Sequence, residues 1–211
     1  MHREVLETAL RCMEQNSGAS FLLREGVGGV MFSAPHCVKQ WREDREKYAE
    51  PETGLLAEML HLKLHCPIIR KMNFCHDDAN WDAVCSYKDA VAEHVSRQGV
   101  RCLVDLHQMA AERPEMICIG TGDGKNVENP QMAEVFLACF EEKGIPSVFV
   151  DHPFKASYPH TVSASIHRRC GIPCIQLEIN SRLLRSGSRE YALETVFDCL
   201  CEIHKRLSEM V

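Results

Sequence analysis

The chain has 211 residues, 45% of them apolar and 26% charged, a composition that excludes disordered and fibrous classes and can bury a core without covalent staples. Its 24 basic and 30 acidic side chains give a formal charge of −6, which argues against a nucleic-acid partner, because phosphate contacts need clustered positive charge. No apolar run approaches the roughly 20 residues of a membrane span, so no membrane partner is expected; the charged start Met1-His2-Arg3-Glu4 lacks a secretory apolar core, and the cytoplasm is the expected compartment.

In chain order, residues 4–15 show helical apolar spacing, ended by Ser17-Gly18. Residues 20–23 and 30–34 read as short strands around a glycine-rich turn, and the charged, aperiodic stretch 37–51 reads as a loop. A helix is predicted over 53–65, a strand over 67–70 and a polar loop over 72–82. An amphipathic helix over 88–98 stops at Gly99. Buried strands follow at 100–106 and 116–119, then a helix over 130–143, strands over 147–150 and 174–179, and a C-terminal helix over 190–209. Strands alternating with helices predict an α/β fold: a three-layer α/β/α sandwich around a mixed, largely parallel sheet, forming one domain over residues 1–211.

The twelve cysteines are scattered, mostly within apolar segments, and form no C-x-x-C pair. Reduced, buried thiols are therefore expected, without a disulfide framework or a structural zinc knuckle. The stretch Gly120-Thr-Gly122-Asp-Gly124-Lys125-Asn126 lacks the first glycine and the final Ser or Thr of a phosphate loop, so it reads as a plain turn.

Of eleven histidines, His36 and His107 stand apart, because each follows an apolar strand directly. Ligands of open α/β sheets sit at the carboxyl ends of strands, so the two would share a crevice if their strands are neighbours. Asp105 lies two residues before His107, on the same strand face, and can orient its imidazole. Glu178 is a carboxylate inside the apolar run 174–179, where an idle charge would be costly. Glu52 opens a helix near the crevice rim. Two His with carboxylates at element ends suit a catalytic zinc with an open position for water.

Several short pieces carry a resemblance in order: Ser33-Ala-Pro-His36, Pro51-Glu52-Thr53, Asp78-Ala-Asn80, Val104-Asp-Leu-His107-Gln-Met109, Ile119-Gly-Thr121, Asp151-His-Pro153 through Tyr158, and Gln176-Leu-Glu178-Ile-Asn180. With these the chain resembles the N-formylglutamate amidohydrolase family of zinc-dependent hydrolases. The resemblance implies one Zn2+ held by His36, Glu52 and His107, with Glu178 as general base and Asn180 and Tyr158 close by. It places Asn80 and Lys155 in pieces of the same pattern. Trp81 stands where the family tends to have Arg, Ser181 intervenes before Arg182, and Ala156-Ser157 replaces a glycine pair. The expectation is an amide hydrolase acting on a small N-acyl substrate other than formylglutamate. Its partner would be a small-molecule amide carrying a carboxylate, gripped by Arg182 with Lys155 or Arg185. The alternatives are a peptidase or amidase on cell-wall-type amides, and a non-catalytic metal- or ligand-binding protein.

Overall fold

A computed structural model of the protein describes residues 2–15, 17–184 and 190–211. The elements run α1 (Arg3–Glu14), β1 (Phe21–Arg24), β2 (Val30–Ala34), β3 (Gln40–Arg42), β4 (Arg45–Lys47), α2 (Pro51–Leu64), β5 (Ile68–Lys71), α3 (Ser86–Gln98), β6 (Cys102–Met109), β7 (Ile117–Gly120), α4 (Gln131–Glu142), β8 (Val148–Val150), α5 (Val162–Cys170), β9 (Cys174–Asn180) and α6 (Glu190–Met210), with a short 3-10 turn at Ser181–Leu183. The main sheet has seven strands in the order β1-β5-β2-β6-β9-β7-β8. Strands β5, β2, β6 and β9 are mutually parallel, and β8 is parallel to β7. Edge strand β1 runs antiparallel to β5, and β7 antiparallel to β9. The α/β fold with a mixed, largely parallel sheet is as the alternation of elements predicts.

Period-2 alternation divides the strands between two cores. On one face Phe32, Val104, Leu106, Ile175 and Leu177 pack with α2, α4 and α6 through Leu56, Phe136 and Phe197. On the other face Met31, Ile69, Leu103 and Cys174 pack with α3 and α5 through Tyr87, Val91, Val162 and Ile166. This second core stops partway along the strands. Beyond it the same face continues in polar residues, and strand register sets Ser33 beside Asp105, Asp105 beside Gln176, and His107 beside Glu178. Tyr87 seals the boundary: its hydroxyl donates to Ile69 O at 3.0 Å, accepts from Ala34 N at 3.1 Å and meets Ser33 Oγ at 2.9 Å.

A hairpin and a helix escaped the sequence reading. The stretch expected as a plain loop over 37–51 contains the β3–β4 hairpin, whose turn residues Glu43 and Asp44 have φ of 52° and 59°. Helix α5 lies where no element was predicted; Thr161 caps it, accepting from Ala164 N at 3.2 Å, and Gly171 ends it at φ 68°. His107 lies inside β6, which runs on to Met109, and not at the end of its strand.

Candidate metal centre

The site forms at the carboxyl ends of β2, β6 and β9. His36 follows β2, and its backbone carbonyl accepts from Glu50 N at 2.8 Å, which brings the two side chains together. Helix α2 starts at Pro51, so Glu50 sits at its N-cap with φ −119° and ψ 59°, outside the helix. Pro supplies no backbone donor and disfavours helical geometry in the residue before it, which keeps Glu50 outside the helix. Gly54 lets α2 come close: a Cβ there would lie 2.8 Å from Cys37 Cβ.

Glu50 lies between the two imidazoles. His36 Nδ1 is 3.2 Å from Glu50 Oε1, and His107 Nδ1 is 3.5 Å from Glu50 Oε2. Gln108 N donates to Glu50 Oε2 at 2.9 Å and fixes the carboxylate. The rings meet edge to face at 4.6 Å. One ligand atom from each of His36, Glu50 and His107 falls within 4.8 Å of the others, a donor set that could hold a metal ion. Each imidazole presents its other nitrogen to a buried carboxylate: His36 Nε2 to Asp78 Oδ1 at 2.9 Å, and His107 Nε2 to Asp105 Oδ2 at 3.0 Å. Such partners fix ring orientation and leave Nδ1 facing the centre. Arg42 grips the far oxygen of Asp78 through Nε at 2.8 Å and Nη2 at 2.7 Å.

The charges follow from this packing. Burial opposes protonation of His36, but the charge of Glu50 and hydrogen bonds to Asp78 and Glu50 outweigh it and raise the imidazole to about 9. His107 is likewise raised, its burial overcome by Asp105 and Glu50. Burial opposes ionisation of Glu50, but His36 and His107 hold it down at about 2. Glu178 behaves oppositely: burial, joined by the negative charge of Glu50, lifts it to about 7 against the pull of His107. Gln176 Nε2 donates to Glu178 Oε1 at 2.9 Å, and Asn80 Nδ2 donates to Gln176 Oε1 at 3.3 Å. Asn80 Oδ1 in turn accepts from Val162 N at 2.7 Å, tying the loop to the first turn of α5.

The structure therefore brings together His36, His107, Asp105, Glu178 and Asn80, and departs from the sequence reading elsewhere. Glu52 is not in the metal-capable group; it lies in the first turn of α2, and the carboxylate at the imidazoles is Glu50. Asn180 does not reach the crevice: it is 0% exposed, and its amide donates to the carbonyls of Ala110, Arg113 and Glu115 at 3.3, 3.2 and 2.9 Å. Arg182 lies behind that loop, its guanidinium bonded to Asn180 Oδ1 at 3.3 Å and Arg113 O at 2.5 Å. Lys155 and Tyr158 line the crevice, but Lys155 Nζ is paired with Asp123 at 2.8 Å. Arg185 lies outside the described residues. Glu50 was missed as a member of the site, and the Pro after it was the available signal; Asp78 opens a piece of the family pattern but was given no role at the imidazoles.

The crevice opens as a cavity of about 770 Å³. The stretches 37–51 and 72–82 both line it, through Arg42, Lys47 and Tyr48 on one and Asn80 and Trp81 on the other. Trp81 stacks on Tyr158 with ring centroids 4.9 Å apart.

Sheet order and the helices on both faces define an α/β protein with a mixed, largely parallel sheet. The family model described as N-formylglutamate amidohydrolase matches residues 85–185, a stretch that includes His107 and Glu178 and begins after His36 and Glu50. Among solved structures, a gene product of Agrobacterium tumefaciens matches with a TM-score of 0.64 at 14% identity, covering 100% of both chains. A bacteriophage poly-gamma-glutamate hydrolase matches with 0.61 at 13% identity, covering 99% of this chain and 97% of that one. An N-formylglutamate amidohydrolase from Ralstonia eutropha matches with 0.58 at 17% identity, covering 92% and 98%. At these identities the likeness is one of fold. No curated protein matches the sequence. Among the described residues no helix is long and apolar enough to cross a membrane.

Proposed function

We propose that the chain works as one domain, a metal-dependent hydrolase that cleaves an amide bond of a small N-acyl amino acid-like substrate. The observation that carries this reading is the convergence of His36, Glu50 and His107 beside Glu178 on one sheet face, with His107 and Glu178 in register. Two imidazoles and one carboxylate, each imidazole backed by an acidic partner, suit zinc. When bound, such an ion lowers the pKa of a water to about 7 and polarises a carbonyl. The protein supplies the rest. Glu178 is 8% exposed, so its carboxylate is largely shielded from bulk solvent. Its carboxylate takes the proton from the attacking water and returns it to the leaving nitrogen. Gln176 and Asn80 hold Glu178 in place from the side of α5. Twelve free thiols fit a reducing compartment such as the cytoplasm.

Glu178→Gln keeps the shape and removes the base. It should lower kcat by about 10²- to 10⁴-fold, with metal content and melting temperature unchanged, in a release assay on a panel of N-acyl amino acids. Near-normal kcat with a lowered melting temperature would make Glu178 a structural carboxylate instead.

A further inference from the structure

We propose that Arg113 reads the substrate carboxylate, and that Asn180 is its positioning residue. This rests on the hydrolase reading of the same cavity and names what that cavity selects: N-acyl amino acids with a free carboxylate, in preference to their neutral amides.

The cations on the cavity wall differ in what they have left to give. Arg42 is committed to Asp78 through two nitrogens, and Lys155 to Asp123. Arg113 also lines the cavity, and no carboxylate among the described residues pairs with its guanidinium. That guanidinium is nevertheless held, lying 4.6 Å over the Phe154 ring. Phe154 is fixed in turn, its carbonyl accepting from Cys118 Sγ at 3.0 Å. A planar fork held over a ring, half-buried and without a carboxylate partner among the described residues, is suited to bidentate binding of a carboxylate.

The loop that carries Arg113 is pinned just as firmly. Asn180 donates to Ala110 O, Arg113 O and Glu115 O, and Arg182 donates to Arg113 O as well. Asn180 ends β9, the strand that carries Glu178. One strand thus fixes both the base and the loop of the carboxylate reader. Arg182, expected from the sequence to grip the substrate, instead braces that loop from behind. Lys47 is the other wall cation with no carboxylate partner among the described residues, but it ends a short two-stranded hairpin and is a single point charge.

The test is titration calorimetry on the metal-loaded protein. The probes are N-acetyl-L-leucine, N-acetyl-L-phenylalanine and N-acetyl-L-glutamate, each against its α-carboxamide. The native protein should prefer the acid in at least one pair, and Arg113→Gln should reduce that preference by about 10- to 100-fold. Arg113→Lys keeps the charge and loses the fork, and should restore part of it. Asn180→Asp keeps the size and loses the donors; it should weaken the preference while metal binding stays intact. An unchanged preference in Arg113→Gln, loss on Lys47→Gln instead, or no acid preference in the native protein would each overturn the inference. A preference that depends on Arg113 without turnover of any probe or related amide would sink the hydrolase reading alone.

Discussion

Glu50 and Glu52 stand on either side of a helix boundary, and that boundary decides their roles. Glu50 is outside the helix, with its backbone N–H bonded to His36 and its side chain between two imidazoles; Glu52 is inside the first turn of α2. Glu50→Gln should therefore weaken metal binding by more than the 10- to 100-fold typical of changes to the groups behind a ligand, while Glu52→Gln leaves metal content unchanged, as elemental analysis after dialysis against a weak chelator would show. Equal loss in both variants would mean that the helix start, not the carboxylate, matters. His36, His107 and Glu178 were legible because each interrupts or ends an apolar strand, where a polar side chain needs a reason. Glu50 was hidden among the charges of 43–52, and the role of Asp78 among those of 77–82, because both sit in loops without periodicity. Asn180 was legible as important but not in its role: its alternation with Glu178 pointed it to the same face, while the turn after β9 directs its amide into backbone carbonyls.

At the scale of elements, the closeness of α2 to the segment after β2 sets the geometry of the centre. Gly54 permits it, because an added Cβ would meet Cys37 Cβ at 2.8 Å and Cys37 Sγ at 3.2 Å. Cys37 is buried, with its Sγ donating to Lys71 O at 2.8 Å, so it has little room to yield. Gly54→Ala should cost about 1–3 kcal/mol through overpacking. For a chain of this size that is a drop in Tm of roughly 2–4 °C per kcal/mol, read by thermal denaturation, and metal affinity should fall with it. A variant as stable as the native protein would show that α2 is free to shift. Most elements were readable from apolar periodicity, since the long strands and helices bury continuous stripes. Helix α5 was not, because VSASIHRRC carries few large apolar residues and is fixed by Thr161, Gly171 and the hydrogen bond from Val162 N to Asn80. The β3–β4 hairpin escaped because its turn places Glu and Asp, not Gly, at positive φ.

For the whole molecule, the centre is a bundle of like and unlike charges that a cation would tie together. His36, Glu50, His107, Asp78 and Asp105 are drawn from the segment after β2, the N-cap of α2, the 72–82 loop and β6, so metal binding should stabilise the global fold and not one loop. At metal one hundred times its Kd the gain is about 2.7 kcal/mol, or roughly 5–10 °C in Tm, lost on adding a chelator and regained on adding zinc; an unchanged Tm in both arms would argue against a metal at this place. Strand β9 adds a constraint of another kind. Its odd-numbered residues Ile175, Leu177 and Ile179 belong to one core, and its even-numbered residues Gln176 and Glu178 to the crevice, with every position from Cys174 to Asn180 paired to β6. A slip of one residue would exchange the two sets, sending Glu178 among the aliphatic side chains and Ile179 into the crevice. Over evolutionary time such a strand tolerates exchange of one side chain for another but not a change in its length, so insertions and deletions in relatives of this chain should collect in the loops before Cys174 and after Asn180 and spare the strand itself.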